Sequence, residues 1–156
     1  MKKMNNKGFS LVELIIVIAI MAILIVVLAP QYLKYVERSR NSTDMQTATE
    51  FMDACEVWAA DPEADKPFVK GDKFSIKVSS TDTAPTLSDT TNGAVAAALA
   101  STGLQTSDFK CQSRTRWTKL DIFGRVETSG AITWWTDDTD FGGAMGLPTS
   151  EPASTP

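Results

Sequence analysis

The chain has 156 residues and a formal net charge of −4, from 15 basic and 19 acidic side chains. It contains no histidine, which excludes Ser-His-Asp and Cys-His catalysis and removes the commonest zinc ligand. Its net acidity disfavours a general nucleic-acid binder, and no cluster of residues suggests an enzyme or a cofactor site.

Residues Met1 to Gly8 hold Lys2, Lys3 and Lys7 and no acid. Phe9 to Ala29 then form a run of 21 residues interrupted only by Ser10 and Glu13. As a helix this run can cross a bilayer. Basic residues flanking such a run stay on the cytoplasmic side, so the bulk of the chain is expected outside. A secretory signal would be cut after the run, at small residues; Leu28-Ala29-Pro30 is a poor site, and no cysteine follows closely enough for a lipid anchor. Glu13 is the unusual feature. A carboxylate in hydrocarbon is costly and is kept where a partner or function needs it, although near an interface it can also snorkel to water.

The segment Lys7-Gly8-Phe9-Ser10-Leu11-Val12-Glu13-Leu14-Ile15 resembles the processing site of type IV prepilins, and the resemblance extends to about Pro30. It implies removal of residues 1–8 as a leader by a prepilin peptidase, with cleavage between Gly8 and Phe9 and N-methylation of Phe9. Residues 9–29 would lie in membrane lipid before assembly and form a filament core afterwards. Glu13 would face the amine of Phe9 in a neighbouring copy. An unpaired buried charge favours any arrangement that supplies its counter-charge, so cleavage would switch on assembly by creating the cation. Pro30 would kink the helix at a place where relatives also carry proline. A glycine found in relatives about eight residues earlier is here Ala22, a strong helix former. Without its three leader lysines the chain would fall from −4 to −7.

Past Pro30, helix-compatible residues run to Ala60. Ala48, Phe51, Met52, Cys55, Trp58 and Ala59 recur at spacings of three and four, one helix face, and Asp61-Pro62 is a stop. A single helix over residues 9–60 is about 78 Å long, more than a head of about 95 residues can cover. Residues 61–71 read as turns, Lys73 to Val78 as a strand, Ser79 to Asn92 as an exposed loop, and Ala94 to Ala100 as a short helix ending near Gly103. Lys110 to Ile122 and Arg125 to Trp135 read as strands, with turns at Gly124 and Ser129-Gly130. Gly142 to Pro156 is expected to be a flexible tail. The fold is therefore expected to be α+β: a leader (1–8), a long N-terminal helical spine (9–60) whose first half is transmembrane, and a small antiparallel sheet in a globular head (61–156).

Four other groups of residues stand out. Cys55 and Cys111 allow one disulfide in an exported chain, or act as two buried apolar thiols. Asp137, Asp138 and Asp140 before Gly142-Gly143 could ligate calcium, as the C-terminal loop of major secretion pseudopilins does, or simply form a solvated acidic loop. Lys110, Arg114, Arg116 and Lys119 around Trp117 could touch DNA, or form the solvated edge of a strand. Trp134 and Trp135, adjacent in a strand, should face opposite ways. The expected function is a structural subunit of an extracellular type IV pilus, placed by assembly machinery from the inner membrane onto the cell surface and serving adhesion, aggregation and surface motility. A pseudopilin of a secretion or competence machine, and a lone membrane-anchored binding domain, are the alternatives.

Overall fold

A computed structural model describes residues 9–81 and 84–153. The chain divides into two compact units, Met1–Arg38 and Ser39–Pro156. The elements in order are α1 (Leu11–Ala60), β1 (Lys73–Ser79), β2 (Thr86–Asp89), α2 (Ala94–Thr102), a 3₁₀ turn (Thr106–Asp108), β3 (Lys119–Val126), β4 (Ile132–Thr136) and α3 (Thr139–Met145).

In the first unit, residues 9–35 are all exposed. The most apolar window of α1 reaches a mean hydropathy of 3.4, so the helix is long and apolar enough to cross a membrane. Pro30 lies inside α1, which is helical on both sides of it. Proline has no N–H to donate one turn back, so the Val26 carbonyl is without that ladder bond.

In the second unit, α1 turns Asn41, Asp44, Ala48, Phe51, Ala54 and Cys55 inward. They pack on a four-stranded antiparallel sheet of order β2-β1-β3-β4. Period-two alternation puts Phe74, Ile76 and Val78 of β1 on the helix side with Leu120, Ile122 and Val126 of β3 and Trp134 of β4. Phe51 is fully buried and makes edge contacts with Phe74, Phe109 and Trp134 at 5.6–6.4 Å between ring centroids. Such pairs contribute about 0.5–1.5 kcal/mol beyond area burial. Trp135 points the other way and stacks on Phe123 at 5.6 Å, so the two tryptophans occupy opposite faces as expected.

Several expectations need correction. The stretch 79–92 is not all loop, because β2 pairs with β1 within it. Gly124 is not a turn. It sits in β3 between Phe74 and Trp134, and a Cβ there would come within 2.6 Å of the Phe74 ring. The reversal lies five residues on, where Glu127 N–H bonds Ala131 O and Gly130 takes φ 88°, a value open to glycine without strain. Residues 110–118 form no strand, so Arg114 and Arg116 share no strand face. The expected flexible tail over Gly142 to Pro156 is, as far as Ala153, built into the head. Asp138 caps α3, Thr136 N–H donates to Pro148 O, and Glu151 pairs with Lys73 and Arg125.

Candidate assembly site

The start of α1 is capped by Ser10 and Glu13. Ser10 is the residue before the helix, and its Oγ accepts from Val12 N–H at 3.3 Å. Glu13 reaches back, and its Oε2 accepts from Ser10 N–H at 2.8 Å. Ser-x-x-Glu is the sequence signature of a capping box, and Ser10-Leu11-Val12-Glu13 carries it. The first four N–H groups of a helix have no partner within it, and a carboxylate there also meets the positive end of the helix dipole. Within one copy, then, Glu13 satisfies its own helix terminus. Phe9 stands next to it, 92% exposed. Gly8, the other processing residue, lies outside the described residues.

Around this box every large apolar side chain from Leu11 to Leu33 is exposed. A run of that size without cover marks a surface meant for lipid or for other protein.

In the head, the residue missed from the sequence is Asp44. Its side chain is fully buried, and it gathers the 111–117 segment. Oδ1 accepts from Gln112 N–H at 2.8 Å, and Oδ2 accepts from Ser113 N–H and the Trp117 indole, each at 2.9 Å. The signal was present: the inward spacing at 48, 51 and 55 continues upstream to 44 and 41, but with polar residues. An acid at a core position implies donors brought to it from elsewhere in the chain.

The remaining expected sites resolve into structural roles. Cys55 and Cys111 are not joined and are both buried thiols. Burial, with Asp89 and Glu56 nearby, pushes the Cys55 thiol well above its usual range, so it stays protonated. Asp44 ties α1 to the 111–117 segment. Asp138 accepts from Asp140 N–H and Phe141 N–H at the start of α3, while Asp137 pairs with Lys119 at 2.9 Å. Those carboxylates do not converge, and among the described residues no three potential metal ligands do. The bond to Asp137 raises the Lys119 amine above its usual value, and burial raises the Asp121 carboxyl beside it. A second network, Arg125 with Glu127 and Glu151, lies on the outer face of the sheet, its two most buried members 8% and 6% exposed.

The described residues define an α+β protein with a long N-terminal helix, apolar and exposed in the first unit, and a small antiparallel sheet in the second. A family model described as the prokaryotic N-terminal methylation motif matches residues 3–29. The chain is 37% identical over 75 residues to a type IV major fimbrial protein, FimA, of Dichelobacter nodosus, a match covering 47% of each chain. It is 33% identical over 111 residues to the fimbrial protein EcpC of Eikenella corrodens, covering 67% of this chain and 69% of that one. The chain belongs to the type IV pilin family. It spans about half the length of the Dichelobacter relatives it matches. No solved structure gives a significant match.

Proposed function

We propose that the chain is a structural subunit of a type IV pilus, synthesised as a membrane precursor and assembled with copies of itself into a fibre on the cell surface. The observation that carries this is the exposed apolar stem with one acid at its start. Two environments suit such a surface: a bilayer before assembly, and the same stem of other copies afterwards. A prepilin peptidase would cut after Gly8 and methylate Phe9, and the new amine would take Glu13 from its own cap. Moving Glu13 from the Ser10 N–H to a cation exchanges a neutral donor for a full opposite charge, whose attraction grows where water is excluded. Pro30, lacking its ladder bond, would let the stem bend as subunits pack. Fibres of this kind support adhesion, aggregation and surface motility.

Electron microscopy of cells lacking the chain, complemented with variants, tests the reading. Wild type restores surface fibres. Gly8 replaced by a bulky residue leaves uncut protein in the membrane and no fibres. Glu13→Ala is cut but yields few fibres. Fibres unchanged in the deletion strain, or normal in both variants, contradict it.

A further inference from the structure

The charge of the head is sorted along the chain. Glu50, Asp53, Glu56, Asp61, Glu63 and Asp65 fall within one stretch that has no base, whereas Lys110 to Lys119 carries four bases and no acid. All six acids are exposed. One of them, Glu56, lines a cleft of about 460 Å³, walled with it by Ala59 and Ala60 at the end of α1 and by the 129–132 turn. The last turn of α1 holds no basic residue, so its terminal carbonyls keep their partial negative charge. Glu56 directs Oε1 to the Trp134 indole at 2.8 Å, and a carboxylate has further lone pairs to offer. Alanine walls with an acid at the rim suit the methylenes and head of a long basic side chain.

The basic segment is built to be presented. Asp44 pins its backbone at Gln112 and Ser113 and its ring at Trp117, so little ordering entropy is lost when it docks. Arg116 is exposed and lies over the Trp117 ring at 5.1 Å; Lys110 is exposed too. Asp44 and Glu56 are about 18 Å apart along α1, so the pinned segment and the cleft are separate surfaces of one head.

We propose that the acidic cleft at the end of α1 in one copy receives the basic 110–116 segment of another, with Arg116 as its anchor. This rests on the filament-subunit reading. Two unlike, complementary surfaces on one chain make a heterologous contact, which repeats into an open helical array rather than closing as a dimer. It would add a head-to-head lock to the stem packing, with the charges also steering incoming copies.

Zero-length carbodiimide cross-linking of sheared wild-type fibres tests this, with linked peptides mapped by mass spectrometry. Lys110 is expected to join an acid of the 50–65 stretch in the covalent dimer, and the link is expected to vanish if fibres are dissociated in detergent first. Arg116→Glu is expected to raise the fraction of subunits released by salt about fivefold, and adding Asp53→Arg to restore it. Fibres that cross-link without any Lys110 link to residues 50–65 overturn the inference and leave the subunit reading intact. So does an Arg116→Glu change that lowers retention of a DNA duplex and leaves the fibres unaltered, since the segment would then serve nucleic acid. If wild type forms no fibres, both readings fall together.

Discussion

Asp44 shows how one side chain can set the course of a loop. Three donors from the 111–117 segment converge on its fully buried carboxylate. Removing a carboxylate that satisfies buried donors leaves each of them uncompensated. Asp44→Ala is expected to lower unfolding stability by about 3 kcal/mol, read by denaturant melts of the full chain in detergent. A loss under about 0.5 kcal/mol, the scale of an ordinary surface change, would contradict the role given to it. Gly124→Ala is expected to lower stability by about 1–3 kcal/mol, because the new methyl meets the Phe74 and Trp134 rings. Cys55 and Cys111 should resist alkylation in the native chain and react once it unfolds. An intact mass two units light under non-reducing conditions would instead reveal a bond between them. These residues also mark the limits of reading a sequence. Glu13 and Phe9 stand out through local pattern, because charge against an apolar run is visible without a fold. Asp44, Gly124 and the two thiols depend on partners from other elements, as far as 73 positions away for Asp44 and Trp117, and their spacing does not say which segment will arrive.

At the scale of elements, α1 was legible almost to its ends. Its apolar run, its inward spacing and the Asp61-Pro62 stop are all local signals, and the helix runs from Leu11 to Ala60. Short strands were harder. β2 has four residues in a Ser/Thr-rich stretch, and it exists because β1 offers an edge, which is a tertiary cause. The C-terminal segment was misread because its composition suggests a tail, whereas Glu151 is drawn in by charges on β1 and β3. Hydrogen bonds from Lys73, then Arg125, hold the Glu151 carboxyl below its ordinary 4.5. A depressed folded value means the pairing contributes fully above that ordinary value and is lost as pH falls through the lower one. The difference in thermal midpoint between wild type and Glu151→Gln should therefore be present at neutral pH and close under acid. A difference that stays constant down to about pH 2, below ordinary carboxylate values, would mean that Glu151 acts by packing and not by charge.

At the scale of the molecule, the chain joins a stem that needs company to a head that folds around its own core. The stem's apolar surface has no cover within its unit, and its one acid is held by a bond that a stronger donor can displace. On the proposed reading, that pairing of features would make the subunit conditional: held in lipid as a precursor, and committed to a fibre once a cation appears opposite Glu13. The most direct measurement is the mass of the N-terminal peptide from protein sheared off the cell surface as fibres. A peptide beginning at Phe9 and carrying one methyl group on its amine is predicted. Fibre protein that still begins with Met1 and its lysines, or with an unmodified residue elsewhere in the stem, would contradict the account.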